Sequence, residues 1–420
     1  MLTSAILRVT LLLILRGNAK SAARFTKNAN SEKSTRGVVS VTRRPFLLTA
    51  VLLCAVIGCR DHRQPQQASS ATPPSQSDEP TGASFTDAEL AQFKALRPID
   101  THTHIYQSAP QMLAMLDRLN LHILDILVTE TPDQKALDTE RSDAWAFVAA
   151  SNGHASLCDT FNPFVYNEPG FARKVSADLN NGFDRGAIAV KIWKNIGEQV
   201  KDSKGRYLLP DDPVFEPIYQ DIAAHHKTLI AHVADPDSIW EAPNPQSPDY
   251  SYYMEHPEWY MYNKPGIPSK ATILLARDRL LEKNPKLRVV GAHLGSMERN
   301  LDQIGQHLDR YPNFAVDLAA RMPYFVMQPR DTMIAFITKY QDRIIYATDD
   351  ELPANADAAK EVPHLERGYA VDWRYLATTD NIEYRGKQVQ GLGLPLPILR
   401  KLYHDNAVQW FPGIDAGQQQ

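Results

Sequence analysis

From about Phe93 onward, short apolar runs alternate with longer segments in which apolar residues recur three and four positions apart. The short runs predict eight strands, at 98–105, 122–129, 155–161, 186–193, 228–234, 287–294, 313–318 and 343–348. Several end in a polar residue just where the strand would run out. The segment from Lys270 to Lys283 shows the helical spacing well, and Asn284-Pro285 ends it. Eight strand–helix units predict an α/β chain folded as a (β/α)8 TIM barrel; a doubly wound open sheet is the competing arrangement. Two connections are long: residues 237–269 after the fifth strand and 350–391 after the eighth. Both are expected to be loops on one face of the barrel. The first is dense in aromatics, with Trp240, Tyr250, Tyr252, Tyr253, Trp259, Tyr260 and Tyr262. It reads as a lid or pocket wall, or equally as a packed structural or oligomer-contact loop.

The polar residues at the strand ends change this picture most. In Ile99-Asp100-Thr101-His102-Thr103-His104 two histidines stand two apart, so a strand presents both on one face. Lys191, His232, His293 and Asp349 each fall at or near the end of a later run. Taken singly, each is as well read as a core histidine or an ion-paired lysine. Together they converge only if the sheet closes, because the first and eighth strands of an open sheet lie far apart. Two imidazoles side by side can hold a divalent metal. Asp317 and Arg321 lie near the end of the seventh run. Arg321 reads either as a clamp for an anionic group or as a structural ion pair. Trp193 and Trp240, with Lys191 and Arg321, are candidate substrate contacts. Asp100 shares a face with the histidines and is expected to orient one imidazole. Arg277 and Arg279, on the 270–283 helix, are expected to be solvated. His225 and His226 precede the fifth strand and belong to the opposite end.

Composition narrows the classes. The chain has 420 residues, 43% hydrophobic and 22% charged, with a formal net charge of −4. No basic block of footprint size appears in the body of the chain, which argues against a nucleic-acid partner. There is no repeat of fixed period. Cys158 reads as a small buried hydrophobe, and Cys54 and Cys59 fall in the N-terminal region, so no disulfide framework is expected.

That N-terminal region reads as an address. Thr42-Arg43-Arg44-Pro45-Phe46-Leu47-Leu48 resembles a twin-arginine export signature, followed by the apolar run 46–57. Val56-Ile57-Gly58-Cys59 resembles a lipobox, which would leave Cys59 as the lipidated first residue. The alternative is an uncleaved anchor. An upstream apolar run at 11–15 fits an overlong gene start, with Val38, Val39 or Val41 as the start. The stretch from Arg60 is rich in Gln, Ser, Pro and Thr and reads as a tether. The expected organisation is an export signal at 1–59, a flexible tether at 60–90 and the barrel at 91–415. The expected location is the periplasm or cell surface, with the lipid in a bacterial membrane.

The order His102/His104, Lys191, His232, His293, Asp349 is similar to the amidohydrolase superfamily. The phrases Val190-Lys191-Ile192-Trp193-Lys194, Gly291-Ala292-His293-Leu294-Gly295, Ala347-Thr348-Asp349 and Asp405-Asn406-Ala407 resemble its amidohydrolase-2 branch, over about residues 96–413. The resemblance implies one divalent metal, most often zinc, with manganese or iron as alternatives. His102, His104, His232 and Asp349 would be its ligands. A second metal would follow if Lys191 were carboxylated by CO2 to bridge the pair; uncarboxylated, Lys191 would be a cation for substrate. His293 would bind that second metal, or polarise substrate and handle protons. Asp349 would take a proton from a metal-activated water. The implied activity is hydrolysis of carbon–oxygen or carbon–nitrogen bonds in a small molecule such as a lactone, ester or cyclic amide. A metal-dependent decarboxylase of the same branch is the alternative, and a surface lipoprotein that only binds is a second. Homo-oligomerisation is left open.

Overall fold

The computed structural model describes residues 83–384 and 386–415. The expectations for an export signal at 1–59 and for most of the tether lie outside these residues. The first described helix, Asp87–Ala95, starts inside the stretch expected to be tether. Thr86 caps it, with its hydroxyl on the Glu89 amide and the Glu89 carboxylate returning to the Thr86 amide.

Nine strands form one parallel sheet: β1 Ile99–Ile105, β2 His122–Ile126, β3 Ala155–Thr160, β4 Ala189–Ile192, β5 Thr228–Ala231, β6 Arg288–Gly291, β7 Phe314–Asp317, β8 Ile344–Ile345 and β9 Asp350–Leu352. Their order is β8-β7-β6-β5-β4-β3-β2-β1-β9. The two edge strands are thus neighbours in sequence. β8 pairs with β7, and β9 pairs with β1. Between them the Thr101 amide donates to the Tyr346 carbonyl and the Asp349 amide to the His102 carbonyl. The sheet therefore curls back on itself. The expected eighth strand, 343–348, shortens to Ile344–Ile345, and a further strand forms in the stretch expected as loop, after Asp349, whose φ of +69° breaks the extended run.

β1 to β7, each four to seven residues long and almost wholly buried, explain why the runs read as continuous apolar stretches rather than alternating ones. Inside the curled sheet Ile99, Leu124, Ile126, Cys158, Ile188, Ile230, Val290 and Ile345 pack together; Ala407, Trp410, Phe411 and Ile414 close the end where the strands begin. A larger apolar layer lies between the strands and the surrounding helices. Each fully buried aliphatic or aromatic side chain there stabilises the fold by roughly 1.5–3 kcal/mol.

The two long connections are folded. After β5 come short helical turns at Asp237–Trp240, Tyr250–Glu255 and Pro257–Trp259. After β9 come the helix Ala358–Ala377 and a hairpin of Asn381–Tyr384 with Lys387–Gln390. Part of the aromatic set packs, as the structural-loop reading expected: Tyr253, Trp259 and Met261 cluster with Trp193 and Ile239, while Tyr252 and Tyr262 stay exposed.

Candidate metal centre

The C-terminal ends of β1, β4, β5, β6 and strand eight bring His102, His104, Lys191, His232, His293 and Asp349 together. His102 Nε2 lies 3.2 Å from Asp349 Oδ1, and His104 Nε2 lies 3.5 Å from the same oxygen. His293 Nε2 lies 3.2 Å from His232 Nδ1. Lys191 Nζ lies 2.6 Å from His102 Nε2. Donor atoms of His102, His293 and Asp349 all fall within 4.8 Å of one another. The trio includes His293, expected as a ligand only in a two-metal site, with His104 and His232 bordering it.

Each imidazole is anchored through its other nitrogen. His102 Nδ1 donates to Asp317 Oδ2 at 3.0 Å, and His104 Nδ1 to the Ile126 carbonyl at 2.7 Å. His232 Nε2 donates to Asp235 Oδ1 at 2.8 Å, and His293 Nδ1 to the Ala319 carbonyl at 3.0 Å. Carbonyls and carboxylates only accept, so these bonds fix the tautomers. Of the remaining nitrogens, Nε2 of His102 and His104 face Asp349 Oδ1, with Lys191 Nζ also beside His102 Nε2, while Nε2 of His293 and Nδ1 of His232 face each other. Facing lone pairs repel unless a cation or proton sits between them. The donor set therefore fits a divalent metal: neutral imidazoles plus one carboxylate suit zinc, manganese or iron.

The electrostatics agree. Burial pulls the His232 pKa down to about 4 against the opposing pull of Asp235, and burial with the neighbouring His232 holds His293 well below its usual value. Burial, aided by the Lys191 charge, also lowers His102. These three rings are neutral near pH 7, as metal ligands must be. Burial opposes charge on His104, but its bond to Asp349 and the Asp349 charge outweigh this and raise its pKa. Burial also disfavours the Asp349 carboxylate, yet the imidazoles of His293, His102 and His104 outweigh it, so its pKa stays well below the usual range. Burial lowers Lys191 to about 8, against the attraction of Asp349 and Asp317.

Backbone conformation aims the groups. After β6, His293, Leu294, Gly295 and Ser296 follow one another in the left-handed region, with φ of 57°, 58°, 63° and 59°. Each of the three non-glycine residues costs roughly 1–2 kcal/mol there. Asp317 Oδ1 offsets part of this by accepting the His293 amide at 2.7 Å, and the Ser296 hydroxyl donates to the Val233 carbonyl at 3.0 Å. One aspartate thus orients the His102 ring with one oxygen and holds the His293 backbone with the other.

Several expectations are corrected. Asp100 reaches no imidazole: it accepts from the His102 and Thr348 amides, the Thr348 hydroxyl and the Tyr369 hydroxyl. It ties β1 to strand eight, and burial raises its pKa to about 6. Ring orientation falls to Asp317 and Asp235 instead. Asp235 also bonds Lys194 Nζ at 2.6 Å, and Lys194 lies 4.2 Å from the Trp259 ring centroid. Neither Asp235 nor Lys194 stood out from the sequence, although Asp235 three residues after His232 was a readable spacing. Arg277, expected in solvent, is fully buried; only Arg279 is partly exposed. Arg321 is buried with Nη1 3.9 Å from Asp249, and its Nε has no hydrogen-bond partner. Trp193 stands with its ring edge-on to His232 at 6.4 Å and against Trp259 at 4.8 Å. Trp240 is half-buried against the same aromatic cluster. His225 precedes β5, at the other end, as expected.

A family model described as amidohydrolase matches residues 99–413. No curated protein sequence matches the chain. Similar solved structures include 2,6-dihydroxybenzoate decarboxylase from Rhizobium, at 15% identity over 74% of this chain and 98% of that one, with a TM-score of 0.44. Another is a dihydroxybenzoic acid decarboxylase from Polaromonas sp. with bound manganese and an inhibitor, at 13% identity over 75% and 96%, TM-score 0.46. A third is 4-oxalomesaconate hydratase from Rhodopseudomonas palustris, at 12% identity over 77% and 98%, TM-score 0.44. With the family model spanning the whole sheet and every anchored imidazole, the chain belongs to the amidohydrolase family and is an enzyme.

Proposed function

We propose that this enzyme is a metal-dependent hydrolase that opens a carbon–oxygen or carbon–nitrogen bond of a small molecule such as a lactone, ester or cyclic amide. The observation that carries this reading is the anchoring of four imidazoles, each on one nitrogen, which turns the free nitrogens of His102 and His104 to Asp349 and those of His232 and His293 to each other beside it. His102 and His104 through Nε2, His232 through Nδ1 and Asp349 would hold one ion, with His293 Nε2 beside it. When bound, the metal, zinc by preference, supplies Lewis acidity and lowers the pKa of a water toward neutrality.

The chain's own groups do the rest. The Asp349 side chain is 28% exposed, so it meets both the histidines and solvent. It is ionised, can accept a proton from an incoming water and can pass it to the leaving group. His293 polarises the substrate oxygen. Lys191, buried and close to its own pKa at mild alkalinity, offers a cation to the developing negative charge, or carboxylated would bridge a second metal. The Arg321 Nε and the faces of Trp193 and Trp240 receive the remainder of the substrate. The export phrase at 42–48 and the lipobox-like 56–59 support a location outside the cytoplasm with Cys59 lipidated and embedded in a membrane.

Elemental analysis of the purified protein, with assays on lactones, esters and cyclic amides, tests the reading. About one metal per chain is expected from a single closed donor set, with a rate that rises toward alkaline pH. His102→Ala should strip metal and activity together. Gas release from aromatic acids without hydrolysis would replace the proposal by decarboxylation. A chain that holds no metal, and whose stability is indifferent to chelator, would reduce it to a binding protein.

A further inference from the structure

His293 owes its aim to the left-handed turn 293–296, and that turn has a support no part of the site chemistry accounts for. Arg277 projects from the helix Lys270–Lys283 into the core and is fully buried. Its Nη1 donates to the Gly295 carbonyl at 2.6 Å, inside the turn. Its Nε and Nη2 donate to Asp278 Oδ1 at 3.3 and 3.0 Å, and Nη2 lies 3.9 Å from Met297 Sδ. The guanidinium lies 4.9 Å from the centroid of Phe314, the first residue of β7. Asp278 is in turn fixed by His307 at 3.1 Å.

A buried cation here costs desolvation that a leucine would not, and packing alone would favour an apolar residue. What an apolar residue cannot do is satisfy a carbonyl that the left-handed turn leaves without a strand or helix partner. A lysine could reach the carbonyl or the carboxylate, whereas the planar fork serves both. Gly295 fits the same reading. At φ +63° a Cβ would come within 3.1 Å of Arg277 Nη1, Met297 Cε and Phe314 Cζ at once.

We propose that Arg277 is a positioning residue for His293: its grip on the Gly295 carbonyl holds residues 293–296 left-handed and so keeps the imidazole facing His102, His232 and Asp349. The inference rests on the metal-centre reading for its consequence, but the geometry itself is testable apart from it. The full chain is prepared as wild type, Arg277→Met, Arg277→Lys, Gly295→Ala, His293→Asn and, as controls, Arg279→Met and Leu280→Ala. Each is crystallised and titrated with cobalt(II), whose visible absorption reports the ligand field.

Arg277→Met should let the turn leave the left-handed region and alter the cobalt band in the same sense as His293→Asn, while cobalt stays bound by the other ligands. Gly295→Ala should do the same from the other side of the contact, and Arg277→Lys should fall between. Leu280→Ala should lower the melting temperature without moving the band, and Arg279→Met should change neither. If Arg277→Met and Gly295→Ala melt early yet keep both the turn and the wild-type cobalt spectrum, the arginine is only a core support and the proposal is overturned. A wild type that binds no cobalt, with a turn that still opens in Arg277→Met, upholds the positioning role and overturns the metal-centre reading instead.

Discussion

The two ends of the curled sheet are built from the same strands and use the same unusual backbone conformation for opposite purposes. Where the strands begin, the left-handed residues Asn120, Asn152, Gly186 and His226 follow helices. There the conformation is an ordinary helix terminator that satisfies the last carbonyls. Where the strands end, Ala234, His293, Leu294, Ser296, Ala320 and Asp349 adopt it directly after strands. No helix end needs closing there. At 293–296 the strain is held by Asp317, Ser296 and Arg277, and what the conformation achieves at this end is direction: His293 and Asp349 carry groups of the metal centre. The base shows the reverse balance. Trp410, Phe411 and Ile414 plug it, and some of its polar groups are paired with backbone, as in Asn406 Nδ2 to the Ile344 carbonyl and His404 Nδ1 to the Arg97 carbonyl. One end trades stability for geometry and the other supplies the stability.

That division can be broken from either side. The largest expected effect is at the base. Trp410→Ala removes a ring packed inside the curled sheet and should cost about 3–5 kcal/mol in denaturant unfolding. Its metal affinity, measured on the folded fraction, should stay at the wild-type value. A parallel loss of both would show that the ends are not separable.

Next comes Asp317→Asn at the mouth. The amide can keep one contact but cannot accept from both His102 and the His293 backbone as a carboxylate does. Metal affinity by chelator competition should fall by roughly 10–100-fold, with a smaller change in melting temperature than Trp410→Ala causes. A large stability loss with unaltered affinity would move Asp317 to the structural side.

The smallest effect concerns His122, on β2 at the base, whose ring bonds Gly153 and Ser156. Burial lowers its pKa from 6.5 to about 4. Between those values the unfolded chain binds a proton that the folded chain refuses, so this group makes stability fall as pH falls through that window. Comparing wild type with His122→Gln, the wild type should lose about 1–2 kcal/mol more between pH 7 and pH 5. Equal slopes for the two proteins would show that the buried ring is not the source.

The strands and their order were legible because buried parallel strands are short, apolar and regularly spaced, and because a histidine or aspartate at such an end is conspicuous. The helix Lys270–Lys283 was legible too, down to its stop at Asn284. Its arginines were not. Arg277 and Arg279 are two apart on an otherwise ordinary amphipathic pattern, and nothing in that pattern says that one enters the core beneath a strained turn. Asp317 was visible near the end of β7, but its double contact depends on a neighbouring strand that brings His293 to it. The 237–269 segment showed its aromatics, and only packing shows them closing against Trp193 around Lys194.

By itself, then, the sequence determined the periodicity, the position of each polar residue relative to its strand, and hence the set of groups that meet at one end. Those follow from local hydrophobic patterning, which each segment carries alone. The tertiary structure decided which nitrogen of each imidazole faces inward, that a ninth strand follows the turn at Asp349, and that Arg277 is buried. These depend on hydrogen bonds between residues far apart in the chain, such as His102 with Asp317 and Arg277 with Gly295. A ring nitrogen's direction is set by whichever acceptor the fold delivers to its far side, and no single segment encodes that.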